Sequence, residues 1–403
     1  MAESGLLRFC RPVMIASCDF DVLIVGAGLS GASLVCALAG SGLRVGLVER
    51  VAPQLPVGWD PQVYAISPAN ADFLARCGVW DAVPRARRCG VERMAVFGDG
   101  GGEIGFSAFE SGLPVLAWII ERGQMATALW AQAQAHARVL CPGAPQAVRL
   151  EADRAWLQLE DGREFSTALL VAADGVGSPT RTLVGLETQL RPYGESGVVA
   201  NFECERPHHG TAWQWFRDDG VLAWLPLPGN RISIVWSMPE GRVQTLLGLS
   251  PEALAVHVAE AGGERLGRLT SLTPAAAFPL RWMRTASTIG ERFALIGDAA
   301  HAVHPLSGHG INLGFQDARA LADVLLSRPS GGDCGAREGL QAYAAARAME
   351  TALIRGGTDA LQRLFRESRA GLSLLRNVGM SLAGALPPLR SALARYAAGR
   401  FRI

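Results

Sequence analysis

The sequence predicts an α/β protein with a Rossmann-like dinucleotide-binding domain, an inserted antiparallel β-sheet domain and a C-terminal helical segment. Three observations lead to this fold class. A GxGxxG turn follows a short apolar run near the N-terminus, two later apolar runs end in Asp-Gly and Gly-Asp pairs, and a tryptophan-rich stretch lies between those two runs. A length of 403 residues suits two domains better than one compact core.

The first apolar run has two interpretations. Residues 22–43 carry no charge and are numerous enough to cross a bilayer, but several glycines disfavour a continuous helix. We therefore predict a βαβ unit, with strands at 22–25 and 45–48 and a helix at about 30–40.

The turn inside this unit predicts dinucleotide binding. Gly26 allows the tight turn, Gly28 lets the backbone approach a pyrophosphate, and Gly31 lets the helix pack closely on the strand. Glu49 ends the second strand, where a carboxylate can accept hydrogen bonds from ribose hydroxyls. The unit by itself does not distinguish NAD from FAD.

The inserted sheet is predicted from alternation. Residues from about 183 to 278 alternate between apolar and polar types and are rich in tryptophan, and 92–109 resemble a hairpin. We expect most of the aromatic side chains to pack the core, while one face of the sheet covering an aromatic substrate is the alternative. The expected boundaries are 20–90, 110–183 and 279–345 for the dinucleotide-binding domain, 91–109 and 184–278 for the sheet domain, and 346–403 for the helical region.

The stretch from Phe293 to Asp317 reads as a strand, a glycine-rich turn and a helix. Such a turn directs backbone N–H groups and a positive helix end at one point, which suits an anion or a polar cofactor. Its histidines, His301, His304 and His309, suggest a metal site as the alternative. No neighbouring Asp, Glu or Cys completes a recognisable ligand set, so we expect no metal.

Composition excludes several classes of protein. The chain contains no lysine, which excludes a P-loop lysine, a Schiff-base lysine and a pyridoxal-phosphate site. The formal net charge of +1 gives no indication of nucleic-acid binding. The eight cysteines are scattered without a CxxC pair, as is typical of reduced thiols in a cytoplasmic protein.

Together these motifs resemble a known family. GxGxxG with Glu49, then Asp174-Gly175, then Gly297-Asp298 are similar to the three fingerprints of FAD-dependent aromatic hydroxylases of the para-hydroxybenzoate hydroxylase type. Within that superfamily the chain is most similar to the ubiquinone-biosynthesis hydroxylases. The similarity runs from about Asp21 to Gly399, and the segment from Gly297 to Asp317 is its most specific part.

The resemblance implies a set of cofactor contacts. Asp298 would bind the ribityl chain of FAD, and Asp174 would serve both the pyrophosphate region and NADPH or NADH. The chemistry would come from the flavin, so no side chain is assigned a catalytic role, and Pro305, Gly308 and His309 would flank the ring. The expected cofactor-binding residues are Gly26, Gly28, Gly31, Glu49, Arg50, Gln62, Asp174, Gly297, Asp298, Pro305, Gly308, Gly310, Ile311 and Asn312.

The resemblance also implies the reaction. NADPH or NADH would reduce FAD, and O₂ would then form a C4a-hydroperoxyflavin that hydroxylates a polyprenylated phenol intermediate of ubiquinone biosynthesis. Two residues depart from the family pattern: Gln62 replaces the Arg of an Asp-x-Arg motif, and His309 replaces Gln in Gly-Gln-Gly. Three alternatives stay open: a non-hydroxylating FAD reductase or dehydrogenase, a non-catalytic flavoprotein component of a biosynthetic complex, and a soluble phenol hydroxylase.

The basic C-terminal region bears on partners and location. Leucines recur there at helical spacing among arginines, as in a packed helix with a solvated basic face. An equally weighted interpretation is a surface that docks on anionic lipid and admits a polyprenyl chain. We expect a cytoplasmic protein with no nucleic-acid partner. Attachment to the inner membrane and a complex with other ubiquinone-biosynthesis proteins are the further interpretations.

Overall fold

The computed structural model describes residues 18–302 and 310–366, together with residues 391, 393–395 and 397–399. The strands are β1 Phe20–Val25, β2 Val45–Val48, β3 Val63–Ile66, β4 Arg88–Val91, β5 Arg93–Phe97, β6 Glu103–Ser107, β7 Ala117–Glu121, β8 Arg138–Leu140, β9 Pro145–Leu150, β10 Ala155–Leu159, β11 Glu164–Ala172, β12 Thr188–Cys204, β13 Thr211–Arg217, β14 Gly220–Leu227, β15 Arg231–Pro239, β16 Leu269–Ser271, β17 Ala276–Thr285, β18 Ile289–Gly290, β19 Phe293–Leu295 and β20 His301–Ala302. The α-helices are α1 Leu29–Ala37, α2 Pro68–Arg76, α3 Arg122–His136, α4 Pro179–Leu183, α5 Glu240–Leu247, α6 Pro251–Ala261, α7 Gly310–Ser327 and α8 Arg337–Arg366.

An eight-stranded sheet forms the centre of the dinucleotide-binding part. Its strands β19, β11, β1, β2 and β8 are neighbours in that order, and each pair is parallel. Residues Val22, Ile24, Leu169 and Val171 are fully buried in the core on this sheet. Helices α1, α3 and α7 contribute to the same core, so the strand residues on this face are apolar. The predicted βαβ unit is therefore confirmed.

The first helix is shorter than the sequence predicts. We expected it to reach about residue 40, but α1 ends at Ala37 and Leu38 forms its C-cap. Gly40 has a φ of 73°, which an α-helix does not accommodate. The glycine cluster therefore ends the helix one turn earlier.

A nine-stranded sheet carries the tryptophan-rich region. Its main order is β20, β17, β12, β15, β14, β13, β5 and β6, and β16 pairs with β12. One face packs against α5 and α6, where Trp224 and Trp236 are buried. The interpretation of these two tryptophans as core residues is confirmed.

A three-stranded sheet of β3, β7 and β4 lies beside both larger sheets. Val63–Ile66 is extended as β3 because its backbone pairs with β7. The expected boundary after residue 278 falls inside β17, which pairs with β12 on both sides of it. The domain boundaries stay a proposal. Among the described residues, no helix is both long enough and apolar enough to span a bilayer.

Candidate cofactor site

The functional motifs meet at one edge of the eight-stranded sheet. Gly26 follows β1, Glu49 follows β2, Asp174 follows β11 by two residues, and Gly297 follows β19 by two residues. These four strands are parallel, so their carboxyl ends lie at the same edge. Open parallel sheets bind ligands outside this edge.

The three glycines of the loop differ in what surrounds them. Gly26 has a φ of 102°, and a Cβ there would lie 2.5 Å from the Ala173 carbonyl oxygen. A Cβ on Gly31 would lie 2.0 Å from the Gly26 oxygen, whereas a Cβ on Gly28 would have no atom within 4 Å. Gly26 and Gly31 are therefore required by packing, and Gly28 borders open space.

Gly28 also begins a helix that has no side-chain cap. It is the N-cap of α1, no side chain accepts from the first turn, and the first turn contains no acidic residue. The N–H groups of that turn lack helical partners, and the helix dipole adds positive potential. An uncapped helix end facing open space fits the pyrophosphate of a dinucleotide.

Glu49 connects the glycine loop to the end of β2. Its Oε2 accepts from the Ala27 N–H at 2.6 Å, and its Oε1 accepts from the N–H groups of Arg50 at 2.8 Å and Val51 at 3.2 Å. The Arg50 side chain is exposed. These contacts fix the carboxylate at the position where a ribose is expected, and Oε2, with a single N–H donor, has a further lone pair for a hydroxyl.

Asp174 has a structural role that the sequence did not reveal. Its carboxylate accepts from the Ser178 hydroxyl and from the Thr180 N–H at 3.0 Å, which holds the turn before α4. In the same turn, the buried Arg181 donates to the Ala299 carbonyl oxygen at 2.8 Å. Arg181 thus ties the Asp-Gly turn to the Gly297-Asp298 turn across 118 residues.

Asp298 points into the open cleft. Its side chain is exposed to solvent, yet the protein atoms around it disfavour the charged form and raise the pKa of its carboxyl. Burial raises the pKa of Tyr64 to about 12, and the nearby Asp298 carboxylate acts in the same direction. Tyr64 on β3 and Asp298 are therefore near enough to interact electrostatically.

A buried cluster of charged side chains, centred on Asp317, is hydrogen-bonded to the turn that contains Asp298. Asp317 on α7 accepts from the Gly297 N–H at 3.0 Å, from His301 Nε2 at 2.6 Å and from Arg347 Nε on α8 at 2.8 Å. Burial acts to raise the pKa of Asp317, but His301 and Arg347 outweigh it and lower the pKa. Burial acts to lower the pKa of His301, but the Asp317 carboxylate outweighs it and raises that pKa.

The start of α7 is anchored by Asn312. Its Oδ1 accepts from the Ser67 N–H at 2.9 Å and the Asn70 side chain at 2.8 Å, and its Nδ2 donates to the Ala65 oxygen at 2.7 Å. The Asn312 side chain therefore fixes α7 to β3 and α2. Gly310 and Ile311, the first two residues of α7, are half-buried beside it.

Gln62 lies on the segment that leads into β3. Its N–H donates to Asp60 Oδ1 at 2.9 Å, and its carbonyl oxygen accepts from the Arg122 N–H at 2.9 Å. Asp60 also accepts from the Gly123 N–H at 2.9 Å, so its carboxylate ties the segment before β3 to the start of α3. Of the expected site residues, Pro305, Gly308 and His309 lie outside the described residues, as does His304.

Sequence reasoning missed several supporting residues. The Ser30 side chain fits between Gly297 and Gly314. A Cβ on Gly297 would lie 2.5 Å from the Ser30 Oγ, and a Cβ on Gly314 would lie 2.2 Å from the same oxygen. Arg181 and Arg347 carried no local signal, because their partners are distant in sequence and arginine is abundant throughout the chain. Asp317 belonged to the specific motif, which was the one available indication of its role.

Comparisons with known proteins agree with this geometry. A family model for an FAD binding domain matches residues 19–354. The 3-demethoxyubiquinol 3-hydroxylase of Escherichia coli (strain K12) is 32% identical over 94% of this chain and 98% of its own length. Ubiquinone biosynthesis monooxygenase COQ6 of Homo sapiens is 31% identical, with coverage of 98% and 96%.

Solved structures share the fold. The Pseudomonas aeruginosa PqsL complex with 2-aminobenzoylacetate superposes with a TM-score of 0.75 at 23% identity, covering 90% of this chain and 99% of that one. The p-nitrophenol 4-monooxygenase PnpA of Pseudomonas putida DLL-E4 gives a TM-score of 0.75 at 18% identity, with coverage of 95% and 99%. At these identities the likeness concerns the fold alone.

Proposed function

The chain belongs to the FAD-dependent ubiquinone-biosynthesis hydroxylases, and on this premise we propose that it hydroxylates the ring of a polyprenylated phenol with O₂ and NADPH or NADH. The observation that carries the proposal is the open, uncapped N-terminus of α1 at Gly28, which lies at the same sheet edge as Asp298. One end of this cleft suits a pyrophosphate and the other suits a polar chain.

The residues present fit FAD. The α1 N-terminus would hold the pyrophosphate, Glu49 would accept from the ribose, and Asp298 would accept from the ribityl hydroxyls. When bound, FAD would supply the redox chemistry that links the nicotinamide donor to O₂. The protein orients the phenol ring and excludes water.

The proposal extends to the binding partners of the protein and to its location in the cell. The substrate carries a polyprenyl chain, and the basic C-terminal region would contact an anionic membrane surface while the ring enters the cleft. We place the enzyme in the cytoplasm and peripherally on the inner membrane, in a complex with other enzymes of ubiquinone biosynthesis. The names of relatives in ubiquinone biosynthesis support the substrate class.

The test uses purified protein loaded with FAD. Oxidation of NADPH and NADH, uptake of O₂ and hydroxylated product are measured with a phenol that carries a short prenyl chain and with the same phenol without it. We expect the prenylated phenol to accelerate oxidation of the nicotinamide and to yield a hydroxylated product whose new oxygen comes from labelled O₂.

Other outcomes would point to the alternatives. Oxidation of the nicotinamide without matching O₂ uptake and product would indicate a reductase or dehydrogenase. FAD binding without stimulation by any phenol would indicate a non-catalytic component. Expression in strains lacking each quinone-ring hydroxylase, with the quinone intermediates identified, would then locate the ring position.

A further inference from the structure

Gln214 is a buried carboxamide without a hydrogen-bond partner among the residues that the structure describes. Its side chain on β13 is 8% exposed and forms no hydrogen bond with any described residue. Ser233 Oγ is sealed from solvent without a partner, whereas the amide atoms of Gln214 keep contact with open space. A carboxamide in an apolar setting is costly unless something completes its hydrogen bonds.

The neighbours of Gln214 form an apolar, uncovered patch in the middle of the nine-stranded sheet. Ala223 pairs with Gln214, and Val235 pairs with Ala223, so the three side chains share one face. Ala223 and Val235 are only half-buried, although both lie on central strands. A central patch that stays accessible indicates a cavity over this face.

The rest of this face is covered on either side of the patch. On one side, Ala212 and Leu225 pack against the three-stranded sheet. On the other side, Phe216 and Val221 pack with Val96 from β5. The opposite face of the sheet lies under α5 and α6. The accessible part of this face is therefore the stretch from Gln214 to Val235, in the row between these two clusters.

This face also adjoins the cofactor cleft. Asn201 pairs with Ser233 in the row next to Gln214, and its Nδ2 donates to the Asp60 carbonyl oxygen at 2.8 Å. Asp60 lies two residues before Gln62, one of the expected cofactor-binding residues, and accepts from its N–H. In addition, β17 borders the Gln214 row and continues to Met283, which pairs with Ala302 beyond the Asp298 turn.

We propose that the Gln214 carboxamide binds an oxygen substituent on the aromatic ring of the substrate and so determines which rings are accepted. The amide N–H₂ donates to a phenolate or alkoxy oxygen, or its carbonyl accepts from a phenol hydroxyl. Ala223 and Val235 contact the ring and its alkyl substituents. This inference rests on the proposed function and assigns a specificity residue to it.

The test compares Gln214→Leu and Gln214→Glu with wild type, using two prenylated rings that differ by one oxygen substituent. A site built to bond an oxygen discriminates strongly against the ring that lacks it. We expect Gln214→Leu to lower kcat/KM about tenfold for the oxygenated ring and to leave the other ring within about twofold, because one neutral hydrogen bond is lost. Gln214→Glu should weaken binding of a phenolate more than binding of a neutral ether.

Gln244→Leu is the matched control, because Gln244 is exposed on α5 over the opposite face of the sheet. Bound flavin absorbance and thermal unfolding establish that each variant is folded and loaded. An equal loss for both rings, or no loss for either, would overturn the assignment of Gln214. If wild type hydroxylates neither ring, the proposed function fails instead. Direct binding of both rings to the FAD-loaded protein then tests Gln214 alone.

Discussion

At the scale of single residues, Gly28 and Gly31 lie three residues apart but differ in their surroundings. We expect Gly28→Ser to keep the free energy of unfolding of the FAD-free protein, because serine is a favoured N-cap and its Cβ meets no atom within 4 Å. The same variant should weaken FAD binding at least about tenfold, since its side chain occupies the space and caps the donors that a pyrophosphate needs. Titration of FAD by fluorescence measures this.

Gly31→Ala serves as the contrasting variant. Its Cβ would lie 2.0 Å from the Gly26 oxygen, so we expect a loss of about 1–3 kcal/mol in the stability of the FAD-free protein. Unchanged FAD affinity in Gly28→Ser would contradict the assignment of the pyrophosphate to the α1 N-terminus.

At the scale of elements, Asp317 joins the Asp298 turn, β20, α7 and α8. Asp317→Asn should lower the free energy of unfolding by about 1.5–3 kcal/mol, because Arg347 and His301 would lose their shared buried carboxylate while Glu350 still pairs with Arg347. Denaturant unfolding of the FAD-free protein measures the change. Asp323→Asn, exposed on the same helix, should stay within about 0.5 kcal/mol, and an equal effect of both substitutions would contradict a special role for Asp317.

The same cluster predicts a pH dependence. The pKa of His301 is raised above its ordinary value, so the stability it contributes is present below about pH 6.5 and is lost as pH rises through the folded-state pKa. The pKa of Asp317 is lowered, so its contribution is lost only as the solution becomes strongly acidic. Unfolding curves of wild type should therefore show a fall in stability above neutral pH that His301→Gln lacks. Parallel pH profiles of the two proteins would exclude this ion pair as the cause.

At the scale of the whole molecule, the distribution of charge predicts membrane binding. The formal net charge is only +1, but the chain from Arg355 onward is rich in arginine. We expect the protein to co-sediment with anionic liposomes at low salt and to be released as salt rises, because screening weakens surface attraction. Replacing Arg363, Arg366, Arg369 and Arg376 by glutamine should reduce sedimentation.

A matched set controls for net charge. In the control protein, four exposed arginines from elsewhere in the chain are changed to glutamine: Arg85, Arg206, Arg242 and Arg268. We expect this protein to co-sediment with anionic liposomes almost as well as wild type. Protein that stays in the supernatant at low salt would count against a membrane surface as partner. Equal losses in both sets would indicate attraction by overall charge alone.

The parts of the fold that were predicted correctly depend on local sequence. The βαβ unit and the tryptophan-rich sheet follow from hydrophobic pattern and glycine position over short stretches. Strand β3 shows the limit of that reasoning: Val63–Ile66 is extended because β7 pairs with it, and β7 lies more than fifty residues later. Strand pairing of this kind leaves no mark within the segment itself.

The sequence alone determined that the chain has a dinucleotide fold, because GxGxxG and the Gly297-Asp298 turn place glycines where backbone geometry demands them. Only the tertiary structure decided how the motifs are held together. Asp174 caps its own turn, Arg181 reaches Ala299, and Asp317 bonds Arg347, since buried polar groups must find partners wherever the fold brings them. Such partners are distant in sequence, so only folding reveals them. The fold also shows that the buried side-chain amide of Gln214 has no hydrogen-bond partner among the described residues.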